Sequence, residues 1–356
     1  MIPMDRIRAL CGDRPLDRPP FAAWGHVMNL QDRDAKAFAE ATIRFQNANG
    51  FDLIKIMSNP YYMLEDSGIR LVPPQDPDTP LIRDGRQLLV PEAKSWGNLR
   101  FPRVGKGALL REREAIQRVT DYFGDTVPVI ATIFTPIMWI AYAALPLDDI
   151  DQAIKQDGNY TALLERYLTE NESYVLPAIE NFSALNLAYM EDLLQAGVSG
   201  FFYCTEHMRT SWSSLDAFER FEKRYDLEVL QAVRKRSFFQ LLHICGDANL
   251  CLEQALDYPV DALNWEDQSS YNPSLAEIRC VTDKILVGGL DRHLDMNGTP
   301  QEIRARLTQR IADAVAQAGK KLILSGGCDW SPAATRKFSI WREVMDAYGQ
   351  EKYQQV

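Results

Sequence analysis

TPQEIRARLTQRIADAVAQAGKKLILSGGCDW, residues 299–330, contains one complete helix-then-strand unit. Thr299 stands at the N-cap, Pro300 at the first helical position, and Glu302 where a capping box requires it. Ile303, Leu307, Ile311 and Val315 recur every fourth residue and mark one buried face. Gly319 supplies a C-terminal stop. The apolar run Lys321–Leu324 follows almost at once, with the continuous hydrophobic character of a strand covered on both faces.

The same alternation extends outward from this unit. Buried strands are expected at Phe21–Val27, Asp52–Met57, Val127–Phe134, Gly200–Cys204, Phe238–Ile244, Ala262–Trp265, Lys284–Val287 and Lys321–Leu324. Helical patterns separate most of them. Gly50 and Gly197 punctuate the chain before the second and fourth strands, and Ser331-Pro332 opens a last helix. Eight such alternations predict a closed (β/α)8 TIM barrel. An open doubly wound sheet is the alternative. It would usually show a glycine-rich phosphate loop after an early strand, and none is present. Two stretches break the rhythm. Residues 61–103 are rich in Pro, Asp and Gly, with short apolar pieces such as Arg86–Val90, and read as an inserted hairpin and loop over the barrel mouth. Ala141–Tyr160 reads as a second excursion. With no internal repeat or linker, residues 1–356 read as a single domain.

Composition narrows the partners. Thirty-nine Lys and Arg against 49 Asp and Glu give a net charge of −10, with no basic run. Nucleic-acid binding needs clustered positive charge to displace counterions, so it is set aside, as are acidic membranes. Met1–Arg14 lacks the apolar core of a signal peptide. The longest apolar run, Val127–Leu145, is interrupted by Thr132, Thr135 and two prolines, and reads as a strand followed by a helix start rather than a membrane span. Six cysteines in such a chain fit a reducing cytoplasm, as free thiols, metal ligands or core fillers rather than disulfides.

The chemistry concentrates at predicted strand ends. In Leu241-Leu242-His243-Ile244-Cys245-Gly246-Asp247, residues two apart point the same way, so His243 and Cys245 share one side of the fifth strand. Cys328 occupies the matching place after the eighth strand, beside Gly326-Gly327. One imidazole and two thiols are good zinc donors. Three ligands from two distant strands, with a fourth position exchangeable, is the pattern of a catalytic rather than a structural zinc. Glu266, one strand further on, is the candidate fourth, displaceable ligand. A buried cysteine is more often a small core filler, and that reading stands beside the metal one. Cys11, Cys251 and Cys280 read as structural, and Cys204 as core or pocket lining. Polar residues at other strand ends (His26, Asn59, Tyr203, Glu206 and Asp291) are candidate substrate-pocket groups. Arg292 is a candidate partner for Asp291.

On these motifs the chain resembles the uroporphyrinogen decarboxylase superfamily, and within it the zinc-dependent, corrinoid-linked methyltransferases of the methylcobamide:coenzyme M type. The resemblance covers the barrel order, Thr132–Pro136, Gly289-Leu290-Asp291 and Gly298–Glu302. In the methyltransferase branch, His-x-Cys and a late cysteine bind zinc, matching His243, Cys245 and Cys328. Glu266 stands where that branch offers a carboxylate to the metal. The decarboxylase branch uses an Arg-Gln-Ala-Gly-Arg-like segment and an aspartate after the second strand. This chain has Ala22-Ala23-Trp24-Gly25-His26 and Met57-Ser58-Asn59 instead.

The resemblance implies methyl transfer between a corrinoid (methylcobalamin-type) carrier on a separate protein and a small thiol activated by zinc. The alternatives are a decarboxylase-like lyase acting on a carboxylated substrate, and a non-catalytic binding protein of the same fold.

Overall fold

The computed structural model describes residues 1–26, 31–73, 81–84, 87–146 and 158–351. Seven parallel strands form one sheet in the order β1 (Ile54–Lys55), β4 (Val129–Phe134), β5 (Gly200–Thr205), β6 (Phe239–Ile244), β7 (Ala262–Trp265), β8 (Ile285–Leu290) and β9 (Leu322–Gly326). From β4 to β9 each strand pairs in parallel with the next in sequence, which requires a crossover connection between each pair.

The first expected strand is the main departure. Of Phe21–Val27, only Phe21 pairs, as a single parallel bridge to Leu324; Val27 lies outside the described residues. That bridge nonetheless joins the two edges of the curled sheet. Ala22 N–H donates to Leu324 C=O at 3.0 Å on one side, and Asp52 N–H to Phe21 C=O at 2.9 Å on the other. Pro19 and Pro20 have no N–H to extend a ladder. The Asp52 carboxylate takes over, accepting from Phe21 N–H at 2.9 Å. Asp52 is fully buried and paired with both Arg6 and Arg18. Charge pairing therefore closes the sheet where a backbone ladder is missing.

The helix Pro300–Ala318 has both halves of its capping box, between Thr299 and Glu302. Ile303, Leu307, Ile311 and Ala314 are buried, while Val315 is only partly so. A four-residue repeat overshoots the 3.6-residue turn, so by the fourth position the stripe has passed to Ala314.

Within residues 61–103, β2 (Leu71–Val72) pairs antiparallel with β3 (Ile82–Arg83). Positions 74–80 and 85–86 lie outside the described residues. The remainder of the Arg86–Val90 piece is not a strand; Val90 N–H donates to Ala143 C=O at 2.9 Å. Ala141–Ala144 ends the wholly buried helix Pro136–Ala144. Of the second excursion, 147–157 lies outside the described residues.

Candidate metal centre

Register on the barrel wall assembles the site. His243 on β6 pairs with Cys204 on β5 and with Asn264 on β7. Its ring stacks on Phe202, with centroids 4.9 Å apart. Its Nδ1 lies 2.6 Å from Asn264 Oδ1. Asn264 Nδ2 donates to Val287 C=O at 2.8 Å and Gly326 C=O at 3.1 Å. Two carbonyls on one end fix which end of the amide is NH2, so Oδ1 must accept. Nδ1 of the neutral His243 ring therefore carries the proton, and the Nε2 lone pair is free.

Nε2 is aimed at the cysteines. Cys328 Sγ lies 3.7 Å from His243 Nε2 and 4.0 Å from Cys245 Sγ, and the three donor atoms lie within 4.8 Å of one another. A disulfide needs about 2.05 Å, so the thiols are not bonded. Tetrahedral zinc with ordinary bond lengths sets S···S at roughly 3.8 Å and S···N at roughly 3.6 Å. The donor set fits that ion in type and separation. Hydrogen bonding between the sulfurs, from Cys245 to Cys328, pulls the Cys328 thiol well below its ordinary pKa, and Arg292 adds to this against burial. The same contact, together with burial, pushes Cys245 up.

Glycines permit the approach. A Cβ at Gly327 would lie 2.3 Å from Glu266 Cα, and one at Gly246 would lie 2.2 Å from an Arg209 guanidinium nitrogen. Arg209 holds Cys245 C=O at 3.0 Å and Ala248 C=O at 2.8 Å, clamping the turn after β6.

The expected pocket groups separate. Glu266 is buried beside the donors, outside the three-atom group; Arg292 Nε donates to its Oε2 at 2.5 Å. Burial pushes its carboxyl up to about 7, against the pull of Arg292. Arg292 also binds Asp247 at 3.0 Å, so it bridges those two carboxylates rather than pairing with Asp291. Asp291 accepts from the N–H groups of His293 and Leu294 in its own turn. Asn59 is fully buried in backbone contacts, donating to Leu81 C=O and accepting from Tyr61 N–H. Tyr203 stands on the opposite face of β5 from Phe202 and donates to Asp226 at 2.7 Å. Glu206 is buried and accepts from Tyr142 OH at 2.6 Å. His26 lines a cavity beside Trp24 and Lys55; burial lowers its pKa most, and Asp329, Lys55 and Cys328 lie within electrostatic reach.

Lys55 was not singled out from the sequence. Its ammonium lies 4.2 Å from the Phe202 ring centroid and 5.5 Å from that of Trp24. Burial lowers its pKa, and the thiols of Cys328, Cys204 and Cys245 pull the other way. A lone charge in the apolar run Leu53–Met57 was the available signal, since an unpaired lysine is almost never buried. A cavity of about 420 Å³ is lined by Trp24, His26, Lys55 and Met57 and, from the helix Ala35–Asn49, by Thr42 and Phe45. The three donors do not line it; Lys55 and His26 connect it electrostatically to Cys328.

The family profile of uroporphyrinogen decarboxylase (URO-D) matches residues 3–337. The chain belongs to the URO-D family. Among curated relatives of this URO-D chain are two proteins named methylcobamide:CoM methyltransferase MtbA. The one from Methanosarcina mazei is 21% identical over 203 residues, 56% of this chain and 54% of the relative. The one from Methanosarcina acetivorans is 21% identical over 221 residues, 60% of this chain and 56% of the relative. The chain thus spans just over half the length of each. A solved methyltransferase from Methanosarcina mazei superposes with TM-score 0.73 at 15% identity, covering 98% of this chain and 99% of that one. A B12-independent methionine synthase from Shewanella sp. W3-18-1 superposes with TM-score 0.59 at 12% identity, covering 95% and 100%. At these identities the superpositions establish a shared fold. Among the described residues no helix is long and apolar enough to cross a membrane.

Proposed function

We propose that this URO-D chain is a zinc-dependent methyltransferase that moves a methyl group between a corrinoid carrier on a separate protein and a small thiol. The observation that carries the reading is the convergence of His243 Nε2, Cys245 Sγ and Cys328 Sγ at metal-ligand separations. The methylcobamide:CoM methyltransferase relatives support it.

Bound zinc would supply Lewis acidity that keeps a substrate sulfur deprotonated at neutral pH, where a free thiol with a pKa of about 8.5 is mostly protonated. The protein's own groups arrange the rest. Asn264 holds the His243 ring so that Nε2 faces the lumen. Arg209 and Gly246 fix the turn bearing Cys245. Glu266 stands next to the donors as the displaceable fourth partner, and Arg292 keeps its carboxylate neutralised when substrate sulfur takes its place. In the transfer, the sulfur lone pair forms the new S–CH3 bond. The methyl carrier on the partner protein would keep the electron pair of the bond that breaks, and the thiol proton would pass to solvent.

The decarboxylase reading needs a free carboxylate after the second strand, and Asn59 is both neutral and fully engaged with backbone. Metal analysis of purified protein, followed by transfer from methylcobalamin to a panel of thiols, tests the proposal. One zinc per chain and thiol methylation are expected. Protein free of zinc after purification with the metal present would overturn it.

A further inference from the structure

The barrel wall is unpaired between its first two segments. Beyond the single bond from Asp52 N–H to Phe21 C=O, no backbone hydrogen bond joins Trp24–His26 to Leu53–Met57 among the described residues. The cavity of about 420 Å³ lies along this gap, between those segments and the helix Ala35–Asn49. Phe45, Phe51, Leu53 and Met57 make much of its lining apolar, and no carboxylate lines it. The exposed Arg44 and the half-buried Gln31 also line it, so it reaches solvent.

Two groups in this lining carry chemistry that the fold does not use. The Lys55 amine nitrogen has one hydrogen-bond partner, the Met57 sulfur at 2.8 Å, and no ion pair among the described residues. Trp24 is 2% exposed, and its indole N–H has no acceptor among them. The Lys55 nitrogen lies 5.5 Å from the Trp24 ring centroid, so the two groups serve one space. Burying an amine without a carboxylate destabilises the fold, where an apolar side chain would pack without that cost. What such burial provides is a nucleophile. Desolvation pushes the Lys55 pKa down, against the pull of nearby thiols, and an N–H held by sulfur leaves the nitrogen lone pair free.

We propose that Lys55 is the nucleophilic amine of a carbonyl-binding site that captures apolar aldehydes or ketones as an imine, with Trp24 Nε1–H meeting the carbonyl oxygen. The Nζ lone pair forms the C–N bond, and the C–O π bond breaks onto the oxygen, which the indole N–H stabilises. Both amine hydrogens then pass to that oxygen, with His26 in the same lining as proton carrier, and it leaves as water. One carbonyl and one amine give one imine and one water, so no oxidant or reductant is needed. The three sulfur and nitrogen donors do not line this cavity, and the site stands independently of the methyl-transfer reading.

The test is reductive trapping on the full-length protein at neutral pH. Benzaldehyde is added with sodium cyanoborohydride, and benzylated lysines are quantified by peptide mass spectrometry. Lys55 should be labelled at least about tenfold faster than the exposed Lys36, the ratio that one pKa unit between two amines produces. Trp24→Phe keeps the aromatic wall and removes the donor. It should slow labelling of Lys55 by roughly threefold to tenfold, with Lys36 unchanged. Lys55 labelled no faster than Lys36 would overturn the inference. So would a Trp24→Phe rate equal to wild type with the fold retained by circular dichroism. The wild-type ratio decides the matter alone if that variant does not fold. Zinc content and thiol methylation are read separately, so either proposal can fail without the other.

Discussion

Asn264 Oδ1 accepts a 2.6 Å hydrogen bond from His243 Nδ1, and its own NH2 is bound to two carbonyls from β8 and β9. Three strands therefore determine the tautomer of one imidazole. Outer partners of this kind typically contribute 10–100-fold in metal affinity. Asn264→Leu should weaken zinc binding by about that factor, read by competition with a chromogenic chelator. It should also strand the carbonyls of Val287 and Gly326, lowering thermal stability. Zinc affinity equal to wild type would show that the ring needs no such lock.

The three-donor geometry makes a joint prediction about the cysteines. Cys245→Ser and Cys328→Ser each replace a soft thiolate with a hydroxyl that binds zinc poorly at neutral pH. Both should reduce zinc from about one per chain to a small fraction, and thiol methylation should fall with it. Cys204→Ser is the contrast: Cys204 faces the same lumen but lies outside the three-atom group, so zinc content should stay near wild type. Methylation that survives loss of zinc in the first two variants would count against the mechanism.

The convergence of His243, Cys245 and Cys328 was legible in the sequence because its rule is local. His-x-Cys at a strand end and a glycine-flanked cysteine at another need only alternation and barrel topology to converge. The Thr299 capping box and the strands from β4 to β9 were legible for the same reason. What failed was anything set by which face of a strand the residue occupies. Tyr203 neighbours Phe202 and Cys204 in sequence, yet it points outward to Asp226. Asn59 sits at a strand end but is consumed by backbone groups, the Tyr61 N–H in its own turn and the Leu81 C=O from a distant segment. Lys55 was missed because a single lysine in an apolar strand passes for an edge residue until its neighbours across the lumen are known. The first strand shrank to one bridge because the Asp52 carboxylate, not a run of apolar residues, closes the sheet there.

Gly327 tests how closely the Cys328 segment must pass Glu266. A methyl group at 327 would sit 2.3 Å from Glu266 Cα and 2.7 Å from Trp265 C=O, both backbone atoms that cannot swing aside. Gly327→Ala should cost about 1–3 kcal/mol of stability, as overpacking does, and shift Cys328 away from the other donors. Reduced zinc affinity with the fold retained by circular dichroism is the expected result. An unchanged melting temperature and zinc affinity would mean that the backbone relaxes freely there.

A buried acid behind β5 sets a pH dependence independent of the candidate metal centre. Asp226 is fully buried, accepts from Tyr203 at 2.7 Å and Tyr258 at 3.0 Å, and burial pushes its carboxyl up to about 8 from an ordinary 3.8. Between those two values the folded chain holds a proton that the unfolded chain has released. Stability therefore falls as pH rises through that window, and the loss is complete above about pH 8. Glu222, one turn earlier and also pushed up by burial, acts in the same direction. His207 acts oppositely on the acid side: burial lowers it to about 3, so stability is lost as pH falls below the ordinary imidazole range. Asp226→Asn removes one of the titrations that weaken the fold on the alkaline side. Its melting temperature should decline less than that of the wild type between pH 5 and about pH 8, measured by differential scanning calorimetry. Parallel wild-type and variant curves across that range would show that Asp226 does not carry the shift.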